Sequence, residues 1–485
     1  MWGGRVFPGR LRMPPERDKK KGKETMTDQQ APAGAYDPNT YKLLTFHDAR
    51  QKFLEGTDTP RAYLERCLEQ IEKLEPQVKA WAYLNTEPAR KAADESTARY
   101  KAGKPLSVVD GMPLGIKDLF ETADMPTEFN SDLFRGNQPI RDAAAVYFLR
   151  KGGAVMLGKT VTICLGGGDP AETRNPFDTR RTPGGSSSGS AAGVAARMIP
   201  SSLGTHGRGS TIRPSSFCGV YGIKPTFGSI NRQGSFSAAH SMDHVGVLAG
   251  SFSDMWITAR YAAKYAGGDP GHPGLYGSLT PPKPRKPARL IRLDMAGWAV
   301  ADDEAKDQLE RMIASLEKAG VEIYTRKDDP AIEAYEQALA KTPQLWAALY
   351  RFEMRWPLYQ YRDHDVTKLP PRLLAGLSEG DRTSQESYRQ ALVDRDHLKA
   401  MHEELALRAD GFITLSAPGA GPIGMDQGSA IFNEASSILG APAISVPVLT
   451  SEKMPLGLQL LGPWHGDERL TAVARWIAEE HVRGS

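Results

Sequence analysis

From Thr45 onward the apolar residues recur at helical spacing. Thr59-Pro60 reads as an N-cap followed by proline at the first helical position, and Tyr63, Leu64, Cys67, Ile71 and Leu74 then share one face. Residues 88–102 predict another helix. Between Gly153 and Gly158 the chain is short, apolar and bounded by glycine, which predicts a buried strand. Residues 166–189 lose all periodicity and carry the breakers Gly166-Gly167-Gly168, Asn175-Pro176 and Gly184-Gly185, so they predict loop. Residues 190–196 are small and apolar, as in a helix packed closely on a sheet. Residues 301–319 predict an amphipathic helix with Leu309, Met312, Ile313 and Leu316 on its buried face and Gly320 as its stop. Residues 321–324 alternate like a strand. Residues 331–408 are mainly helical and carry Trp346, Tyr350, Phe352, Trp356, Tyr359 and Tyr361. Strands near 412–414, 443–446 and 456–461, with helices near 430–439 and 467–482, complete the pattern. Helices and strands interleave throughout and no internal repeat occurs, so the fold class is α/β.

Composition narrows the function classes. The 485 residues are 40% hydrophobic and 25% charged, which fits a soluble globular chain and excludes wholesale disorder. A length prior of roughly 150 residues per domain suggests about three domains. The net charge of +3 gives no case for a nucleic-acid partner. No run approaches the length of a membrane span, so no membrane anchor is expected. Three distant cysteines, Cys67, Cys164 and Cys218, argue against disulfides and against a metal site, and fit a reducing, cytoplasmic location. Residues 1–40 predict a disordered tail. Its basic run Lys19-Lys20-Lys21-Gly22-Lys23 has no apolar core after it, so it reads as a solvated leader, with Met26 as an alternative start.

Two motif matches fail on context. Gly153-x-x-x-x-Gly158-Lys159-Thr160 fits the phosphate-loop expression, but its variable positions are the strand itself rather than a flexible turn. Gly185-Ser-Ser-Ser-Gly189 fits the nucleophile elbow, which needs an apolar strand before it; a polar loop precedes it here.

Three other segments belong together. They are Gly111-Met-Pro-Leu-Gly-Ile-Lys117-Asp118, Pro183-Gly-Gly-Ser-Ser-Ser-Gly-Ser190, and Gly204-Thr-His-Gly-Arg-Gly-Ser210-Thr-Ile-Arg213-Pro214 with Phe217-Cys-Gly-Val-Tyr-Gly-Ile-Lys224-Pro225-Thr226. Supporting echoes occur at Gly158-Lys-Thr160, Arg174-Asn-Pro176, Ser241-Met-Asp-His-Val-Gly246, Gly440-Ala-Pro-Ala-Ile-Ser-Val-Pro447 and Gly457-Leu-Gln-Leu-Leu-Gly462. In this order they resemble the amidase signature family of Ser–cis-Ser–Lys amide hydrolases, from about Leu44 to the C-terminus. The resemblance implies a mixed twisted β-sheet wrapped by helices. It implies Ser210 as nucleophile, Ser186 as the bridging serine after a cis peptide bond, and Lys117 as base. The turn Gly207-Arg208-Gly209 would form the oxyanion hole, and Ser187 would support the network.

The chemistry of these residue types agrees. A serine hydroxyl is a poor nucleophile until a base takes its proton. Lysine acts as that base only when neutral, and burial favours the neutral form. Lys117 follows the apolar stretch Met112–Ile116, a dry setting. Gly184 and Gly185 supply conformational freedom before Ser186. Cys218 reads as a core residue rather than a second nucleophile. The pieces at 117, 186 and 210 must share one sheet, so the three-domain prior gives way to one domain over residues 41–485.

Two positions depart from the family pattern. Many members carry Asp or Gln where His206 stands and Gly where Arg208 stands. Arg still has a backbone N–H, so Arg208 is predicted to keep an allowed φ and to aim its guanidinium at solvent, a carboxylate or the substrate channel. The glutamine-dependent branch places Arg two residues after the nucleophile; here Ile212 stands there and Arg213 one later, as in the stand-alone amidase branch. The expected activity is hydrolysis of small amides, with carbamates (urethanes) and esters chemically adjacent, without metal or cofactor, by a monomer or homodimer. The aromatic segment 331–408 is expected to line the substrate pocket. The alternatives are an amidotransferase subunit that works with a partner, and a binding or scaffold protein with a weakened site.

Overall fold

The computed structural model describes residues 36–482. Residues 1–35, most of the expected tail, lie outside the described residues. The chain is already packed at Tyr36, ahead of the expected boundary at 40. Tyr36 is buried, and its hydroxyl donates to the Pro447 carbonyl at 3.3 Å.

The strands are β1 (Trp81–Leu84), β2 (Pro113–Lys117), β3 (Val155–Thr160), β4 (Ser201–His206), β5 (Tyr221–Lys224), β6 (His244–Ala249), β7 (Arg289–Arg292), β8 (Glu322–Tyr324), β9 (Phe412–Leu415), β10 (Ala443–Ser451) and β11 (Met454–Leu461). They form one 11-stranded sheet in the order β1-β3-β2-β4-β6-β5-β10-β11-β9-β7-β8. The sheet is mixed: β3, β2 and β4 run parallel, whereas β6 lies antiparallel to β4 and β5, and β10 antiparallel to β5 and β11. Helices cover it, so the architecture is the mixed α/β fold that the sequence implies.

Local chemistry explains the predicted ends. Thr59 accepts from the Ala62 amide at 3.1 Å and caps the helix Pro60–Val78, with Pro60 in the first turn where its missing N–H costs nothing. Asp302 caps Asp303–Lys318 by accepting from Ala305 at 2.6 Å, and Gly320 follows its end at a φ of 81°. Segment 331–408 forms the helices Pro330–Leu339, Thr342–Glu353, Arg355–Asp365, Pro371–Arg382 and Gln385–Ala406.

The central strands β2, β3, β5, β6 and β11 are buried at every position. A strand covered on both faces shows no alternation, so β2, β4, β5 and β6 escape a reading by periodicity. The phosphate-loop match falls on β3. Its Lys159 is wholly buried and spends its ammonium on Asp118 at 2.8 Å, the Phe120 carbonyl at 2.9 Å and Thr127 Oγ1 at 2.6 Å.

Candidate active site

Parallel strands β2 and β4 end side by side, with Ile116 in register with Leu203. Lys117 is the last residue of β2, and the turn 207–210 leaves the end of β4. Ser186 arrives from the loop before the helix Ser188–Ala195. The carboxyl ends of neighbouring strands thus bring residues from positions 117, 186 and 210 to one place, as is usual for sites on α/β sheets.

Lys117 is 0% exposed. Its Nζ lies 2.7 Å from Ser186 Oγ, 3.0 Å from Ser187 Oγ and 2.6 Å from Thr205 Oγ1. Ser187 Oγ in turn donates to the Thr205 carbonyl at 3.3 Å, so its oxygen accepts from the lysine. Burial pushes the Lys117 ammonium well below the ordinary lysine range; Asp243 opposes this and Arg213 adds to it. A neutral amine has two N–H groups and one lone pair, so it can accept one hydroxyl proton from the three neighbours.

The peptide bond between Gly185 and Ser186 is cis, and Gly184 takes a φ of 80°. Arg213 packs behind this turn. Its guanidinium is buried and donates to the carbonyls of Gly185 at 2.5 Å and Gly428 at 2.8 Å, and to Gln427 Oε1 at 3.0 Å.

Ser186 and Ser210 line one cavity of about 390 Å³. Ser210 is 7% exposed, enough to meet a ligand there. Among the described residues, the amides of Gly207, Arg208 and Gly209 make no backbone hydrogen bond, so they remain free to donate. A side chain at Gly207 would meet Asp243 Oδ1 at 2.4 Å, which accounts for glycine there. Arg208 stays out of the left-handed region. Its Nε donates to Glu434 Oε1 at 2.7 Å, and its guanidinium lies 4.3 Å from the centroid of the Trp346 ring.

Trp346 and Tyr350 of the aromatic segment line the cavity, with Met354 and Leu373. The other aromatics named from sequence pack elsewhere: Phe352 stacks on Tyr388 at 4.1 Å, Tyr361 meets Phe134 at 5.2 Å, and Trp356 is 67% exposed. Cys218 is buried and donates to the Pro183 carbonyl at 3.4 Å; burial pushes its thiol up, away from the reactive thiolate.

Sequence reasoning missed Thr205, Asp243, His244, Glu434 and the positioning contacts of Arg213. Asp243 and His244 lie in the motif echo 241–246, which marked a region without a role. Glu434 carries no signal in sequence at all.

Comparison with known proteins identifies the family and the fold. The Amidase family model matches residues 62–355. The glutamyl-tRNA(Gln) amidotransferase A-subunit of Thermus thermophilus is 30% identical over 470 residues, covering 90% of this chain and 97% of that one. Its counterpart in Chloroflexus aggregans is 29% identical over 461 residues, covering 86% and 92%. Among solved structures, one described as a crystal structure of amidase superimposes with a TM-score of 0.77 at 26% identity over 90% of this chain and 99% of that one. The fold of 6-aminohexanoate cyclic dimer hydrolase matches with a TM-score of 0.77 at 20% identity, over 90% and 97%. By family model, relatives and fold, the chain belongs to the amidase signature family of carbon–nitrogen hydrolases.

Proposed function

We propose that the chain is a stand-alone amide hydrolase working through an acyl-enzyme on Ser210. Ser210 Oγ attacks the substrate carbonyl carbon while its proton passes through Ser186 to Lys117 Nζ. The amides of Gly207, Arg208 and Gly209 face the oxyanion of the tetrahedral intermediate. As the C–N bond breaks, the proton returns through Ser186 to the leaving nitrogen. Water then attacks the ester by the same path, and the acid leaves as Ser210 regains its proton. The observation that carries this is the buried Lys117 amine at 2.7 Å from Ser186, in a cavity shared with Ser210.

Trp346, Tyr350, Phe236 and Met354 on the cavity wall favour an apolar or aryl group on the substrate. Carbamates and esters undergo the same acyl transfer. A panel of anilides, carbamates and esters assayed on purified protein, with Ser210→Ala as control, tests the reading.

One observation favours a second reading: the relatives at about 30% identity are named as amidotransferase subunits. That reading requires glutaminase activity and a stable partner. Ile212, where that branch has arginine, speaks against it. Hydrolysis of aryl amides without turnover of glutamine would reject it.

A further inference from the structure

Two side chains donate to consecutive carbonyls behind the turn that leads to Ser210. His244 Nδ1 lies 3.2 Å from the His206 carbonyl oxygen, and Trp346 Nε1 donates to the Gly207 carbonyl at 3.1 Å. Each carbonyl shares a peptide group with the next residue's amide. The His206 carbonyl is conjugated to the Gly207 N–H, and the Gly207 carbonyl to the Arg208 N–H. A hydrogen bond to one end of a peptide polarises it and makes the other end a stronger donor, most of all in a site of low dielectric.

The tautomer of His244 follows from its neighbours. A carbonyl oxygen only accepts, so Nδ1 carries the proton towards His206. The neutral ring then offers the lone pair of Nε2 to Lys224 Nζ at 3.2 Å. Lys224 Nζ also donates to the carbonyls of Ala441 at 2.5 Å and Pro225 at 3.3 Å. Three acceptors around one amine match the three N–H groups of an ammonium. Burial lowers Lys224 to about 7 and holds His244 well below the usual imidazole range. The tautomer does not depend on the lysine's charge, because the His206 carbonyl permits only a donor. His244 and His206 are partners in the β4–β6 register, so the sheet itself fixes the imidazole beneath the turn.

We propose that His244 and Trp346 are positioning residues which polarise the peptides 206–207 and 207–208, and that Lys224 orients His244. This rests on the acyl-enzyme reading, since it strengthens the donors which that reading assigns to the oxyanion. It also gives the helix Thr342–Glu353 a part in the chemistry beyond lining the cavity.

The test measures kcat and KM for an aryl amide in the full-length enzyme, with the affinity of an aldehyde that forms a tetrahedral adduct on serine. Trp346→Phe keeps an aromatic ring under Arg208 and removes the indole N–H together with its fused ring; His244→Leu removes the imidazole donor. Each lowers kcat about 5- to 50-fold and weakens the aldehyde in parallel, because the lost hydrogen bond acts on the oxyanion; KM changes less than about twofold in His244→Leu, while in Trp346→Phe the fall in kcat exceeds any rise in KM that the smaller cavity wall brings. His244→Asn places an amide N–H near the Nδ1 position and recovers most of the loss. A rise in KM at unchanged kcat, or Asn as poor as Leu, overturns the proposal. Ser210→Ala separates the two levels. If it stays active, the acyl-enzyme reading fails and the positioning roles fall with it. If it is inactive while Trp346→Phe and His244→Leu keep full kcat, only the positioning roles fail.

Discussion

Arg208, two residues before Ser210, donates to Glu434, whose carboxylate is 1% exposed. The pair explains how arginine occupies a turn where the family often has glycine. The backbone stays in an allowed region, the guanidinium stacks on Trp346, and a carboxylate at the start of the helix Glu434–Leu439 neutralises it. Burial raises Glu434 and the Arg208 charge opposes that rise.

Removing Arg208 therefore strands a buried carboxylate. Arg208→Ala is expected to lower stability by about 1–3 kcal/mol, below the usual cost of breaking a fully buried pair because the arginine is 43% exposed. Adding Glu434→Gln to that variant recovers part of the loss. Urea midpoints at constant m-value check both.

On the proposed mechanism Lys117 sets the acid limb of the pH profile. Its amine is competent when neutral, so kcat/KM rises as pH climbs through its depressed pKa. Asp243 pulls that pKa upward, and Asp243→Asn removes the pull. The acid limb of the Asn variant therefore shifts to lower pH. A shift to higher pH would contradict the assignment of Lys117 as the base. Lys117→Ala is expected to lower kcat by at least ~100-fold.

His402 is a structural counterpart with the same sign. It is buried between Tyr335 and the Gly462 carbonyl: Nε2 donates to Gly462 at 2.9 Å, and Nδ1 accepts from the Tyr335 hydroxyl at 2.8 Å. Burial lowers it from 6.5 to about 4. The unfolded chain takes up the proton first as pH falls, so the neutral ring's contribution is complete above pH 6.5 and is lost down to about pH 4. The loss is on the order of 3 kcal/mol. Denaturation at pH 7 and pH 4.5 measures it; His402→Gln shows a flatter dependence over that interval.

The exposed and amphipathic parts of the fold are legible from sequence. The helices at Pro60 and Asp303 show caps, stripes and stops because one face meets water. Strands β2, β4, β5 and β6 are not, because burial on both faces and many Gly and Ser residues erase the period. The same segments are nonetheless the ones marked by motifs, since the proposed chemistry needs particular residues there. That is why the sequence points to Lys117, Ser186, Ser187 and Ser210, which the fold brings to neighbouring positions. It does not point to Thr205, Glu434 or His244, for they act through contacts across distant strands and helices. The aromatic segment is legible only in part: Trp346 and Tyr350 face the cavity, whereas Trp356 faces solvent.

The central claim is that Ser210 carries the acyl group. Intact-mass analysis after treatment with a fluorophosphonate, followed by peptide mapping, tests it most directly. The account predicts one adduct per chain, on Ser210, that is absent in Ser210→Ala together with hydrolysis of the aryl amide. An adduct on another residue, or full hydrolysis by Ser210→Ala, would contradict it.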